Sequence, residues 1–411
     1  MNDQHTAGDQ NPFPGIPTSI DKPIRRIGVL TGGGDCPGLN AVIRAVTKTA
    51  IFDHGWEVIG IHDGFLGLIE NNATQLDQHA VSNILTEGGT ILGSSNKANP
   101  QRFATGTDTQ GQPIFEDVTD RCLKHIDELK LDALVVIGGD GTMSAAEPII
   151  RAGVPAIGVP KTIDNDVHGT ELTFGFLTAA NTATEALDRL HSTAASHHRV
   201  MIAEVMGRNA GWIALHAGVA SGADVILIPE IPFDIEHVAD VCLARTRFGK
   251  SFTIICIAEG AAPRGQDKFT RKLDPTSPDP VKLGGAGHFL ADKLEEITKL
   301  ETRCTVLGYT QRGGAPTPAD RVLATQFGFH ATTLLAQGHA NRLVVMQNHR
   351  CTDTHILAAC NKQRTVPPQH PLVHAARAVR TSFGDKPART VNNATSAPPT
   401  PATIHHTPLT V

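Results

Sequence analysis

The sequence predicts an α/β fold built on parallel strands, and three observations carry that expectation. Short apolar runs with the length and β-branched content of buried strands recur along the chain, among them 27–30, 58–61, 133–137, 156–159, 200–205 and 252–258. Several of these runs end directly in glycine-rich turns, where the backbone can take shapes that a Cβ forbids. Stretches with helical spacing follow the turns, as in Ala41, Val42, Ala45, Val46 and Thr49. At 411 residues the chain is long enough for two domains of ordinary size or one large α/β unit.

Residues 1–23 are rich in Asn, Asp, Gln, Gly and Pro with little to bury, so a mobile arm is expected there. Order begins at Ile24, and strand 27–30 leads into Thr31-Gly32-Gly33-Gly34-Asp35 and then a helix. Strand 58–61 leads to His62-Asp63-Gly64-Phe65, and residues 88–97 form another loop rich in glycine and hydroxyls. Strand 133–137 runs into Gly138-Gly139-Asp140-Gly141-Thr142 ahead of a helix, and strand 156–159 into Pro160-Lys161-Thr162-Ile163-Asp164-Asn165-Asp166. A helical stretch at 178–191 precedes strand 200–205, which ends in Met206-Gly207-Arg208-Asn209; strand 225–228 follows, and strand 252–258 ends in Glu259. Residues 263–280 are polar and proline-bearing and read as an exposed insertion. A helix at 287–300, a strand at 305–307 leading to Tyr309 and Arg312, and a last strand at 343–346 complete the ordered chain. From about residue 385 the composition turns to Thr, Pro, Ala and Asn, which predicts a disordered tail.

The stretch from Asp132 to Asp166 organises the rest. A glycine turn between strand and helix lets backbone N–H groups approach a phosphate. Asp140 among such donors makes sense as a Mg²⁺ ligand. Two consecutive strands then place carboxylates at one sheet edge, where open α/β folds bind ligands. The first turn lacks the Gly-Lys-Ser/Thr ending of a P-loop and there is no G-x-G-x-x-G, so a Walker NTPase and a standard dinucleotide site are both disfavoured. Acids outnumber bases 41 to 36, giving no bulk attraction to nucleic acid or anionic membrane. The seven cysteines show no metal spacing and read as reduced thiols of a cytoplasmic protein, and no apolar run approaches membrane length.

Taken together, LTGGGDCPGLNAVIR, IHDGFLGLIE, GGTILGSS, VVIGGDGT, PKTIDND, SHHRVMIAEVMGRNAGW, IAEG and ETRCTVLGYTQRGGAPTPADR, in that order, resemble the 6-phosphofructokinase family over about residues 24–383. The resemblance implies two Rossmann-like α/β domains with mainly parallel sheets flanked by helices and the active site in the cleft between them. It places a phosphoryl-donor domain at 24–160 with the chain returning from about 300–345, a sugar-phosphate domain at 161–300 and a C-terminal helical segment at 345–384. It also implies transfer of the γ-phosphoryl of ATP to the 1-hydroxyl of fructose 6-phosphate in glycolysis, with Mg²⁺. Asp164 matches the general base, and a positioned carboxylate suits an alcohol nucleophile. Asp140 matches the metal position; Thr162 and Arg208 match groups that meet the transferred phosphoryl. Gly34, Gly139, Gly141 and Thr142 match the donor-phosphate turns, and Phe65 a position that stacks adenine. Met206, Gly207 and Glu259 match sugar contacts. Arg199, Arg303 and Arg312 match the cluster gripping the 6-phosphate, the first two reaching in from a neighbouring subunit, which implies a homo-oligomer, commonly a dimer of dimers.

The chain departs from the pattern in places. Asn96 stands where well-studied bacterial members have an arginine at the donor, leaving Lys97 as a point cation beside it. Tyr309 replaces a histidine near the sugar. Gly141 is the residue typical of ATP users, whereas Lys161 is typical of pyrophosphate users. The smaller residue admits a nucleotide and a lysine does not exclude one, so ATP is the favoured donor and pyrophosphate the alternative. A lipid or NAD kinase would share GGDGT but not TIDND, MGR and QRGG. A non-catalytic sugar-phosphate-binding subunit would have no need to keep Asp140, Thr162, Asp164 and Arg208 together.

Overall fold

The computed structural model describes residues 13–274 and 280–388. Its elements divide between two sheets. The first sheet takes β1 (Arg26–Thr31), β2 (Glu57–Ile61), β3 (Ala73–Leu76), β6 (Ala133–Gly138), β7 (Ala156–Thr162), β8 (Phe174–Gly175), β15 (Arg342–Gln347) and β16 (Arg350–His355). Its order is β16-β15-β7-β6-β1-β2-β3, with β8 beside the end of β7. All neighbours are parallel except the two edges, β2 with β3 and β15 with β16. The second sheet is wholly parallel, in the order β10-β11-β9-β14: β9 (Val200–Val205), β10 (Val225–Leu227), β11 (Thr253–Ala258) and β14 (Thr302–Val306). Two antiparallel hairpins stand apart, β4 (Phe103–Thr107) with β5 (Pro113–Glu116) and β12 (Thr270–Leu273) with β13 (Val281–Leu283).

The central strands are apolar because both faces are covered. β6, β9 and β11 are buried at every position. Helices α1 (Leu39–His54), α4 (Asp140–Arg151), α5 (Phe176–His197), α8 (Ala286–Thr298) and α9 (Pro318–Ala336) connect or cover the strands, with shorter α2 (Phe65–Glu70), α3 (Thr119–Glu128), α6 (Trp212–Ala220), α7 (Ile235–Arg247) and α10 (Pro371–Ala378). The TPAD stretch explains where α9 begins. Thr317 caps it by accepting from Asp320 N, Pro318 opens the first turn, and buried Asp320 accepts from Thr178 N at 2.7 Å. That carboxylate ties the starts of α5 and α9 together. Further along α9, a Cβ at Gly328 would stand 2.9 Å from Val42 O, so a glycine is what lets α9 lie this close on α1.

Several boundaries differ from expectation. β14 pairs with β9, so residues 302–306 belong to the second sheet, and the chain returns to the first only with α9. The segment expected to be helical from 345 opens instead with the β15–β16 hairpin, whose outer strand, Arg350–His355, is too polar to show a strand pattern. Residues 13–23 are not a loose arm: Ile16 is buried, Phe13 stacks on His355 at 4.4 Å, and Ile20 N donates to Gly338 O at 2.8 Å. Residues 1–12 and the tail from 389 lie outside the described residues. Asp385, at the start of the expected tail, accepts both guanidinium nitrogens of Arg377 at 2.9 Å. Within the expected insertion, β12 is exposed throughout and pairs with β13 just beyond it. None of the described helices is long and apolar enough to cross a membrane.

Candidate active site

The carboxyl ends of the parallel strands in the two sheets face each other across a cavity of about 910 Å³. On the first sheet, the turn after β1 and the loop at 88–97 are laid side by side by their own polar groups. Asn40 Oδ1 accepts from Ile91 N at 2.8 Å, Gly33 N donates to Ser95 O at 3.1 Å, and Thr31 Oγ1 donates to Gly93 O. Thr142, in the first turn of α4, fills the space under the glycines: a Cβ at Gly32 would lie 2.6 Å from its methyl and one at Gly138 2.3 Å from its Cβ. A Cβ at Gly34 would meet Arg312 Nη1 at 2.7 Å. Gly141 is different. A Cβ there would meet nothing within 4 Å, so its smallness leaves room in the cavity rather than room for the protein.

The end of β7 is held as firmly. Asn165 sits in the left-handed region at φ 52°, is buried, and accepts from Thr173 N at 2.9 Å through its side chain. Arg364 clamps the same loop, donating from its guanidinium to Asn165 O at 3.1 Å and from its backbone N to Asp166 O at 2.7 Å. Within the loop Thr162 Oγ1 accepts from Asp164 N at 3.1 Å. Lys161 is buried and donates to Gly34 O, joining β7 to the first glycine turn.

From the second sheet come Met206 and Arg208 after β9, Glu259 after β11, and Tyr309 and Arg312 after β14. Gly260 locks two of these ends together, donating from its N to Gly207 O at 3.2 Å. A Cβ on Gly260 would sit 2.1 Å from Arg208 O. Buried Gln311 accepts from Met206 N at 3.3 Å, and Arg312 crosses to donate to Asp35 O at 3.0 Å.

Three carboxyls in the cavity are pushed above their usual range. Burial raises Asp164, with Arg312, Arg208 and Lys161 pulling the other way. Asp166 rises to about 7 through burial first and then the negative charge of Asp164 and Asp140. Glu259 also rises to about 7, again through burial first and then Asp164 and Glu204. Lys161 is lowered, chiefly by burial. Asp164 Oδ1 is buried and has no hydrogen-bond partner, a high-cost state for a carboxylate that a ligand hydroxyl would relieve.

The cavity brings together Gly34, Phe65, Asn96, Gly139, Asp140, Gly141, Thr142, Lys161, Thr162, Asp164, Met206, Arg208, Glu259, Tyr309 and Arg312. Gly207 contributes shape from behind, at φ 139°. Lys97 is not in the cavity wall; its ammonium pairs with Asp274 at 3.1 Å, which corrects its expected place at the donor. Arg199 and Arg303 lie at the amino ends of β9 and β14, sharing Glu301 at 2.8 and 2.6 Å. Arg199 is about 20 Å of strand from the cavity edge of its own sheet, and Arg303 about 10 Å. Sequence reasoning passed over Asp166, although it is the last acid of TIDND itself, and over Asp35, Ser94 and Ser95 in the turns. Lys282 and Gln363 were also missed, because neither belongs to a local pattern that marks a site.

The family model described as Phosphofructokinase matches residues 26–335. The chain belongs to the phosphofructokinase family. It is 49% identical over 365 residues to the ATP-dependent 6-phosphofructokinase 2 of Clostridium perfringens, covering 89% of this chain and 100% of that one. It is also 47% identical to the pyrophosphate–fructose 6-phosphate 1-phosphotransferase of Amycolatopsis methanolica, over 84% of this chain and 97% of that one. Among solved structures it resembles Pichia pastoris phosphofructokinase, with a TM-score of 0.69 and 29% identity over 88% of this chain and 37% of the larger yeast chain.

Proposed function

We propose that this phosphofructokinase transfers the γ-phosphoryl of ATP to the 1-hydroxyl of fructose 6-phosphate, as a cytoplasmic glycolytic enzyme. The observation that carries the reading is Asp164 Oδ1, buried and without a partner, in one cavity with the glycine turns and Asp140. In this reading the sugar hydroxyl donates to that oxygen and gives up its proton as the new O–P bond forms and the bond to the bridging donor oxygen breaks. The burial that raises Asp164 makes it a stronger base, and Arg208 and Arg312 keep it charged enough to accept. Thr162 and Arg208 meet the charge that grows on the moving phosphoryl. The space left by Gly141 accommodates a nucleotide, and ATP-dependent relatives of high identity support that donor.

The residues fit a magnesium ion. Among the described residues no three acidic, His or Cys side chains form a closed cage, but magnesium binds through one or two carboxylates and substrate phosphates and keeps its waters. The negative charge that Asp164 and Asp140 press on Asp166 is the charge pattern a divalent cation would relieve. Asp140 would hold it, with Asp166 as the neighbouring acceptor, and the bound ion would supply neutralisation of the phosphate charge. Arg199 and Arg303 serve the reaction only from a neighbouring copy, which makes the enzyme a homo-oligomer with shared sites. The deciding experiment gives the purified protein fructose 6-phosphate and Mg²⁺ with ATP or pyrophosphate in parallel. Fructose 1,6-bisphosphate should form with ATP; formation with pyrophosphate alone would replace the donor, and formation with neither would end the reading.

A further inference from the structure

The donor side of the cavity is short of positive charge. Of the residues lining it at 32–34, 94–96 and 139–142, none is a cation, and Asp140 adds a negative charge. Lys161 also lines the cavity but is buried, with its ammonium donating to Gly34 O. Lys97 is turned to Asp274 on the outside. A polyphosphate bound here would meet Lys161 and, against Gly34, Arg312, fewer positive charges than its own negative ones.

The β12–β13 hairpin spans that gap. It rises from the second-sheet side, where Lys268 Nζ, just before β12, donates to Arg208 O at 2.8 Å and to Asn209 Oδ1 at 2.6 Å. Gly285, just after β13, donates from its N to Glu204 Oε1 at 3.2 Å. At its far end Asp274 reaches the first-sheet loop through the Lys97 ion pair. Between these anchors the register sets Lys282 opposite Lys272 and Val281 opposite Leu273. Lys282 and Leu283 line the cavity while Lys272 and Leu273 are exposed. The strand that looks like solvent-facing insertion thus delivers a lysine to the space between the two sheets.

We propose that Lys282 is a donor-binding residue, contacting the phosphate chain of the nucleotide from the hairpin side and supplying the charge that Asn96 and the glycine turns lack. The ion pair of Lys97 with Asp274 is then a positioning contact, holding the hairpin over the donor loop. This inference rests on the reading of the chain as an ATP-dependent kinase, and the test separates the two. Steady-state kinetics with each substrate varied are compared for the wild type, Lys282→Met and Lys282→Arg, alongside calorimetric titration of each with MgADP. Lys282→Met should raise KM for ATP about ten- to hundredfold, the usual weight of a hydrogen bond to a charged group, with little change in KM for fructose 6-phosphate. MgADP should weaken in parallel, and Lys282→Arg should keep most of the affinity. An unchanged KM for ATP in an active Lys282→Met protein would overturn the assignment. So would a rise confined to the sugar KM, which would place Lys282 at the acceptor, or an equal loss in Lys282→Arg, which would make its role one of shape. A wild type inactive with ATP would sink the kinase reading instead, and the calorimetric comparison would still decide whether Lys282 holds nucleotide phosphate.

Discussion

The two sheet edges that face the cavity are built by opposite means. The first sheet uses backbone: glycines at 32–34 and at 138, 139 and 141, with Thr142 packed beneath them, present N–H groups on short, rigid turns. The second sheet uses reach: Arg208, Arg312 and Glu259 project from strand ends that buried contacts such as Gln311 to Met206 N hold in place. A rigid backbone cradle suits a donor whose phosphates must arrive in line. Long side chains suit an acceptor whose reacting hydroxyl must be steered to one carboxylate. Asp164 stands where the two meet, raised by its burial, with Arg312 and Arg208 from one side and Lys161 from the other pulling it down.

The sharpest way to break this comparison is to remove the shared carboxylate. Asp164→Asn should lower kcat roughly 10²- to 10⁴-fold while the sugar still binds, the scale for loss of a general base. Rapid-quench kinetics and calorimetry with fructose 6-phosphate would check both halves; an unaltered kcat would remove Asp164 from the role. Next in size is Gly141→Asp, which fills an open glycine position on the donor edge with a charge. It should weaken ATP use roughly 10- to 100-fold, since a like charge against phosphate is repulsive, and leave the sugar KM almost untouched. A Gly141→Asp enzyme with normal ATP kinetics would mean that the donor does not pass this turn.

The same contrast explains how much could be read in advance. The first-sheet edge was legible because its logic is local: strand, glycine turn and helix lie within a dozen residues of one another in GGDGT and PKTIDND. The second-sheet edge was legible only in its short motifs, MGR and QRGG. The contacts that support the two edges were not. Arg364 clamping Asn165, Gln363 donating to Asp140 Oδ2 at 3.5 Å and Lys282 entering on the hairpin are contacts between segments far apart in the chain. Lys97 shows the converse error. Sequence adjacency to Asn96 suggested the donor, but Asn96 lines the cavity while the Lys97 ammonium pairs with Asp274. β16 and the ordered residues 13–23 were missed because polar edge segments gain order from partners that periodicity does not reveal.

A smaller effect sharpens the second-sheet side. Arg199→Ala should raise KM for fructose 6-phosphate about tenfold, the low end for a charge-assisted phosphate contact, although Arg199 is far from its own cavity. Mixing Arg199→Ala with Asp164→Asn subunits offers the cleaner readout. If a neighbour completes each site, the mixture should recover sugar affinity and turnover that neither variant has alone. Recovery that never exceeds the sum of the separate proteins would confine each site to one chain.

The smallest effect concerns stability. Glu259 is pushed up to about 7 in the folded protein, against an ordinary value of 4.5, chiefly by burial and then by Asp164 and Glu204. A raised folded value means that the native state holds a proton which the unfolded chain releases once the pH passes the ordinary value. The proton therefore favours the folded state at low pH, and that advantage is lost as pH rises towards and through 7. Glu259→Gln, which cannot ionise, should consequently melt higher than the wild type at pH 8 by a few degrees at most, and the gap should close near pH 5. The sugar would invert the comparison if Glu259 accepts from a bound hydroxyl, because the glutamine loses a charged acceptor: fructose 6-phosphate should then stabilise the wild type more than the variant. Differential scanning calorimetry at both pH values, with and without the sugar, separates the two effects. A gap that ignores pH would mean that Glu259 is already ionised in the free enzyme, and that Arg208 and Arg312 reach it more strongly than its burial does.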